Sequence, residues 1–226
     1  MKDHVKKAIK DFNIEVKDQI TCGSWLANKL HVKFKNLGEN GQSNDATFRK
    51  LLDLDLSDTF VLIGITSGNR REGLTTSNRR QHWHTYKVVP PEYNAGYKDL
   101  VFNPWVNKSG LQEYRPAIEE EEQIRTLIQI IYMQNYLQQN NIPYFMFNAL
   151  HNGFDRPLTP QCKSYLNKVE EKHFYKLRGS FDDCQHGYCL KKGLTVSNLD
   201  QHPNVQGQKA WGGLLLDMIQ EIINAG

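Results

Sequence analysis

Two uninterrupted apolar segments place the strongest constraint on how this chain can fold. Residues 59–65 read TFVLIGI and residues 142–150 read IPYFMFNAL, and neither segment alternates between apolar and polar positions. A strand with one face in water alternates, whereas a strand of a parallel sheet that is covered on both faces is apolar throughout. The two segments therefore predict two buried strands of a parallel sheet.

Segments with helical periodicity lie between and around these strands. The acidic run at residues 119–122 is expected to begin a long helix, since negative charge is favourable at a helix N-terminus, and Asn140 with Asn141 is expected to end it. The other predicted elements are a helix opened by Ser24, a strand at 31–37, a helix at 44–54 capped by Asn44 or Asp45, and an apolar-striped helix at 205–223. Helices that alternate with strands predict an α/β fold with three layers, α/β/α, around a mostly parallel sheet.

The chain length agrees with one domain that spans residues 1–226, because a chain of this size can bury one sizeable core. Residues 70–117 differ from the rest, since they include Trp83 and Trp105 and show no sustained period. We expect an irregular insertion at about 70–117 that serves as a lid or a partner surface. Its basic stretch from Arg70 to Arg80 is either a solvated surface or a binding surface for a phosphate or sugar.

Composition excludes several classes of protein. No apolar stretch approaches the roughly 18 residues of a membrane span, so no membrane partner is expected. The first residues lack the apolar core of a signal peptide, which predicts a cytoplasmic protein. The net charge of +3 is too small to favour nucleic acid as a partner.

The cysteines give little sign of a metal site. Cys184 and Cys189 bracket His186 in the run CQHGYC, but a structural zinc site needs a second pair of ligands, and the sequence identifies none. A disulfide across this short loop needs an oxidising compartment. Reduced thiols are therefore the favoured interpretation, and zinc and a disulfide are the alternatives.

Ligand sites of parallel α/β folds lie at the carboxyl ends of the strands. This rule directs attention to residues 41–44, 66–71 and 151–156 and to the loop before the last helix. His151 follows the second buried strand. It either lines the site or is a hydrogen-bonded histidine of a loop.

The loop before the last helix carries the strongest chemical signal. Asp200 and His202 flank Gln201 in the run LDQHPNVQGQKAW. A carboxylate beside a histidine fixes the imidazole tautomer and stabilises the imidazolium, as a general base requires. The alternative interpretation is a capped turn that holds a hydrogen-bonded histidine.

This run resembles the last sequence block of the SGNH (GDSL-like) hydrolases, especially the divergent versions carried by bacteriophages, in which an Asp and a His precede Pro-Asn and a Gly. The run NLGENGQSND at residues 36–45 resembles the second block. The resemblance implies a flavodoxin-like α/β/α fold. It also implies that Gly41 donates its backbone N–H to an oxyanion, that Asn69 is a second donor, and that Asn44 binds substrate.

The first block of that family, an apolar strand followed by Gly-Asp-Ser, has no counterpart in residues 1–20. The nearest candidate is the run ITCGSW at residues 20–25. Its Ser24 is either a nucleophile presented from a sharp strand-to-helix turn or a helix N-cap.

The resemblance implies an esterase or acetylesterase that acts on an acylated carbohydrate or a small ester. Ser24, His202 and Asp200 would form its triad, and no metal or organic cofactor would take part. The alternative is a catalytically degenerate member of the family. Such a protein would serve as a phage structural or glycan-binding component, with a virion or self-association partner, in the host cytoplasm or the virion.

Overall fold

The computed structural model describes residues 21–38, 42–68, 70–77, 80–87 and 111–225. Its helices, in chain order, are α1 (Cys22–Lys29), α2 (Asn44–Leu52), α3 (Leu111–Gln139), α4 (Pro160–Leu166), α5 (Gln185–Lys191) and α6 (Val205–Ala225). Its strands are β1 (Val61–Ile65), β2 (Arg70–Ser77), β3 (Arg80–Lys87), β4 (Tyr144–Asn148) and β5 (Phe174–Tyr175). Contacts divide the chain into a first unit, Met1–Leu37 with Phe181–Gly226, and a second unit, Gly38–Ser180.

A parallel sheet forms the centre of the second unit. β4 pairs with β1 on one side and with β5 on the other, and both pairings are parallel. The register places Val61 opposite Tyr144 and Ile65 opposite Asn148, so β1 and β4 end at the same level. This arrangement confirms the predicted α/β fold and the parallel pairing of the two apolar segments, although each strand is shorter than its apolar run.

The two strands differ in how much of their surface is covered. All five residues of β4 are buried, as predicted. In β1, Val61, Ile63 and Ile65 are buried, while Leu62 and Gly64 between them are only partly buried. The expectation of complete burial on both faces is therefore wrong for β1.

The long helix α3 supplies the largest part of the core that faces the sheet. Leu127, Ile130, Met133 and Leu137 are fully buried, and their spacing of three to four residues places them on one face of the helix. They belong to the same buried cluster as Ile63, Ile65, Tyr144 and Met146 of the sheet. Burying such a side chain contributes about 1.5–3 kcal/mol, so this face determines where α3 lies.

The boundaries of α3 correct one prediction and confirm another. The helix begins at Leu111, so the acidic residues 119–122 lie within it rather than at its N-terminus, and the helix dipole does not explain them. Asn141, two residues after the last helical residue, adopts a left-handed backbone conformation with φ 55°. Asparagine tolerates this conformation better than most residues, and the predicted helix end is confirmed.

The region expected to be irregular contains a regular hairpin. β2 and β3 pair antiparallel, from Arg70 opposite Lys87 to Ser77 opposite Arg80. The strands read RREGLTTS and RQHWHTYK, and they hold too few apolar residues to produce the alternation by which strands are recognised. Residues 88–110 of the expected insertion lie outside the described residues.

The helix α2 is attached to α3 by a charged contact. The Arg125 guanidinium donates to both carboxylate oxygens of Asp45, at 2.8 and 2.6 Å, and Gln129 donates to the same carboxylate. The N-cap of α2 is Ser43, whose hydroxyl accepts from the Ala46 backbone N–H. Asn44 and Asp45, the predicted caps, instead occupy the first turn of the helix.

Helices α1, α5 and α6 build the first unit. α6 buries Trp211, Leu215 and Ile219, which repeat every four residues, and its observed start agrees with the prediction. α1 packs against α6 so closely that a Cβ at Gly212 would lie 2.7 Å from the Trp25 ring. The predicted strand at 31–37 is wrong: residues 32–38 form no regular element, and Val32 and Phe34 are exposed.

A helix can cross a membrane only if it is both long and apolar. α3 has 29 residues, enough at about 1.5 Å per residue to cross a bilayer, but its sequence contains a run of four glutamates. No helix in the described part of the chain is both long and apolar enough to cross a membrane.

Close packing requires a glycine at position 187 in the first unit. A Cβ at Gly187 in α5 would lie 1.9 Å from the Phe181 carbonyl oxygen, whereas a Cβ at Gly213 in α6 would meet only a Trp25 ring atom at 3.9 Å. We expect Gly187→Ala to lower the free energy of unfolding by about 1–3 kcal/mol or more. Gly213→Ala, the matched control, should raise it by about 0.5–1 kcal/mol, because alanine favours a helix. Urea unfolding measures both, and equal effects of the two variants would contradict this packing.

Candidate functional site

The loop between α5 and α6 has a defined backbone that presents Asp200 and His202. The Val196 N–H donates to the His202 carbonyl at 3.0 Å, and the Ser197 N–H donates to the Asp200 carbonyl at 2.9 Å. The Ser197 hydroxyl accepts from the backbone N–H groups of Leu199 and Asp200. These contacts close a tight turn that displays both side chains.

Asp200 and His202 form a close pair. The distance from Asp200 Oδ1 to His202 Nδ1 is 2.6 Å, and the same oxygen accepts from the His202 backbone N–H at 3.2 Å. The His202 side chain is 87% exposed and that of Asp200 is 33% exposed. The carboxylate keeps the proton on Nδ1, so the lone pair is on Nε2, which is the nitrogen that a general base uses.

A second histidine lies near this pair. Burial, together with the charge of His202, lowers the pKa of His186 below its ordinary value. The His186 ring stands edge-on to Phe181, with 6.0 Å between the ring centres. His186 therefore favours its neutral form, and the pair has an uncharged neighbour at neutral pH.

The residues after His202 hold the loop against the start of α6. Asn204 Oδ1 accepts from the Gly207 N–H at 2.9 Å and thereby caps the helix, while its Nδ2 donates to the Thr195 carbonyl at 2.9 Å. A Cβ at Gly207 would lie 2.5 Å from the Leu194 carbonyl oxygen. The Asn and Gly positions of the SGNH-like run thus have a structural role in this chain.

Ser24 lies in a capping box at the start of α1. Thr21 is the N-cap, and its hydroxyl accepts from the Ser24 N–H, while Ser24 Oγ accepts from the Thr21 N–H. The Ser24 hydroxyl donates its proton to the Thr21 carbonyl at 2.8 Å. The alternative that Ser24 is the N-cap is therefore wrong, because Ser24 is the third residue of the helix and contributes to the cap from inside.

The predicted oxyanion and substrate residues belong to the second unit. Gly41 and Asn69 lie outside the described residues. Asn44 is 1% exposed, and its amide holds the backbone of Thr66: Nδ2 donates to the carbonyl at 3.0 Å, and Oδ1 accepts from the N–H at 2.9 Å. In this structure Asn44 acts as a clamp between α2 and the end of β1.

A polar cleft of about 170 Å³ lies at the carboxyl ends of β1 and β4. Its lining residues are Ser67, Gly68, Glu119, Glu122, Gln123, Thr126, His151, Asn152, Gly153 and Arg156. Two of the three second-unit segments to which the strand-end rule directed attention, 66–71 and 151–156, contribute to it. The cleft is named the strand-end cleft below.

His151 in the strand-end cleft has an acidic partner. Its Nε2 lies 2.8 Å from Asp155 Oδ1, and both side chains are more buried than those of Asp200 and His202. Both alternatives for His151 apply, since it lines a cleft and is hydrogen-bonded. The sequence analysis did not identify Asp155. A signal was present, because Asp155 follows His151 by four residues in the segment after β4.

The cysteines are free thiols in buried positions. Burial raises the pKa of Cys22 to about 12, and burial with a smaller effect of Cys184 raises that of Cys189 to about 11. Cys184 caps α5, because its Sγ accepts from the Gly187 N–H at 3.3 Å. The described residues include no group of three His, Cys, Asp or Glu side chains that could hold a metal ion.

Removing the Asn44 amide tests its role as a clamp. We expect Asn44→Ala to lower the free energy of unfolding by about 2–4 kcal/mol, because it leaves two buried backbone groups of Thr66 without partners. Asn140→Ala is the control, since the exposed Asn140 amide donates once, to the Tyr136 carbonyl, and its loss should cost less than about 1 kcal/mol. Urea unfolding compares the two variants, and a small effect of Asn44→Ala would contradict the clamp.

Thiol reactivity tests the burial of the cysteines. We expect the native protein to react with a disulfide reagent such as Ellman's reagent at pH 8 about two orders of magnitude more slowly than unfolded chain, because little thiolate is present and access is blocked. All four thiols should react after denaturation in urea. Glutathione in the same buffer provides the reference rate, and rapid reaction of Cys22 or Cys189 in the native protein would contradict the structure.

The sequence matches no family model, and neither curated proteins nor solved structures match it. The resemblance to SGNH hydrolases therefore remains a prediction that depends on the motifs of this sequence.

Proposed function

We propose that this chain is an SGNH-type ester hydrolase in which His202 is the general base and Asp200 orients it. The observation that carries the proposal is the 2.6 Å contact between Asp200 Oδ1 and His202 Nδ1. A base of this kind accepts a proton on Nε2 and typically accelerates a reaction by 10²–10⁴-fold. The three-layer α/β/α architecture of that family is part of the proposal.

The proposed reaction is acyl transfer to a serine hydroxyl followed by hydrolysis. In the first step His202 Nε2 removes the proton of Ser24 Oγ, and the oxygen forms a bond with the ester carbonyl carbon. The tetrahedral oxyanion collapses, the alcohol leaves with the proton from His202, and water repeats the sequence to release the acid. The substrate class implied by the resemblance is an acylated carbohydrate or a small ester.

For this reaction, the Ser24 hydroxyl must turn away from the Thr21 carbonyl to which it donates in this structure. The hydroxyl then loses its part in the capping box, which costs about 0.5–2 kcal/mol. That amount is small compared with the catalytic contribution of a triad.

The second candidate function is a catalytically degenerate SGNH-type protein, a phage structural or glycan-binding component. The capping box favours it, because the described hydrogen bonds of the Ser24 hydroxyl all involve Thr21. A serine that serves only as a helix cap would leave the chain without this nucleophile.

Two measurements distinguish the candidates. Saturable hydrolysis of p-nitrophenyl acetate is followed together with labelling by a fluorophosphonate, and the labelled residue is located by mass spectrometry. For the hydrolase we expect labelling of Ser24 and a loss of kcat/KM of about 10²–10⁴-fold in His202→Gln. Gln201→Ala, a change at an exposed neighbour, should leave kcat/KM unchanged.

A matched pair separates catalysis from helix capping. Ser24→Ala and Thr21→Ala each remove one side of the capping box, but only Ser24→Ala removes the proposed nucleophile. Equal loss of activity in both variants would indicate a purely structural role for Ser24. A folded protein that shows neither labelling nor saturable turnover supports the degenerate candidate and overturns the hydrolase.

A further inference from the structure

Hydrogen bonds hold the walls of the strand-end cleft in place. The backbone N–H groups of Ala149 and Leu150 both donate to the Ile65 carbonyl, at 2.9 and 3.3 Å, and so continue the pairing of β1 and β4 beyond the strands. Gln123 Nε2 donates to the Gly153 carbonyl at 3.0 Å, and the Arg156 N–H donates to the same oxygen at 3.2 Å. The loop that lines one wall is therefore held in place by hydrogen bonds within the protein.

The side chains of the cleft are almost all polar. Glu119 and Glu122 offer carboxylate acceptors, Arg156 offers donors, and Ser67 and His151 carry groups that can donate or accept. None of the ten lining residues has an aliphatic chain end or a phenyl, phenol or indole ring. An acyl chain or an aromatic group would lose its water there without gaining apolar contacts.

The charge and the size of the cleft restrict the ligand further. Glu119 and Glu122 outnumber Arg156, which already lies 3.8 Å from Glu119, so the cleft does not favour a phosphate or another polyanion. Its volume of about 170 Å³ lies below the range of about 300–1,000 Å³ that holds drug-sized ligands. A small neutral molecule meets both conditions.

We propose that the strand-end cleft binds a small polyhydroxylated molecule, with the size and chemistry of a single sugar ring. Each hydroxyl of such a ligand donates to a carboxylate or accepts from an amide, hydroxyl or guanidinium, and the cleft supplies both kinds of partner. The 2.8 Å contact with Asp155 fixes the His151 ring, so that its orientation is set before a ligand arrives. This proposal concerns the second unit, and it holds whether or not His202 is a catalytic base.

Nuclear magnetic resonance with ¹⁵N-labelled protein tests the proposal. The probes are methyl glucoside, methyl galactoside and N-acetylglucosamine, each titrated to high millimolar concentration, with inorganic phosphate and butyrate as comparisons. We expect at least one sugar to shift the backbone signals of Ser67 and Asn152 in a saturable way. Phosphate and butyrate should shift neither residue.

Two adjacent residues of α3 provide a matched pair of variants. Glu122 lines the cleft and Glu121 does not, so Glu122→Gln should weaken sugar binding by about tenfold or more while Glu121→Gln leaves it unchanged. Saturable binding of phosphate or butyrate at Ser67 and Asn152 would overturn the proposal. So would the absence of shifts with all three sugars, or equal effects of the two glutamate variants. Loss of esterase activity in His202→Gln has no bearing on these results, which separates this proposal from the function proposed above.

Discussion

The parallel pairing of β1 with β4 is the constraint on which the second unit depends. Because all five residues of β4 are buried, the strand needs cover from other elements, and α3 provides it with Leu127, Ile130, Met133 and Leu137. The pairing also determines where polar chemistry gathers. With Ile65 opposite Asn148, both strands end together, and the segments that follow them line the strand-end cleft together with α3.

Polar side chains in this protein repeatedly satisfy backbone groups and thereby position loops. Asn44 holds the backbone of Thr66, Asn204 caps α6 and binds the Thr195 carbonyl, and Asp200 accepts from both the backbone and the ring of His202. An unmade hydrogen bond of a buried backbone group costs about 1–3 kcal/mol, so the buried contacts between Asn44 and Thr66 stabilise the fold. Residues that a motif assigns to catalysis can therefore also be required for the fold, and the stability and activity measurements above separate the two roles.

Prediction from sequence succeeded where a pattern depends on a local periodicity or on one residue type. The burial of β4, the start of α6 and the end of α3 at Asn140 and Asn141 were predicted in this way. It failed where the pattern was weak or misleading. The hairpin of β2 and β3 is too polar to show alternation, and residues 31–37 alternate although they pair with no strand of the described residues. The glutamates at 119–122 suggested a helix start, but α3 extends back to Leu111.

The sequence alone determined the two apolar strands, of which β4 is fully buried, and the pairing of a carboxylate with His202, because apolar runs and contacts over two residues are local properties. The tertiary structure alone decided that Thr21 rather than Ser24 caps α1. It also decided that the Asn44 amide forms hydrogen bonds with the Thr66 backbone. It also decided that Asp155 accompanies His151, which lines a cleft together with residues of α3 and of the segment that follows β1. These features join positions far apart in the chain or depend on a side-chain rotamer. A pattern of residue types records neither the register between distant strands nor the direction in which a hydroxyl donates.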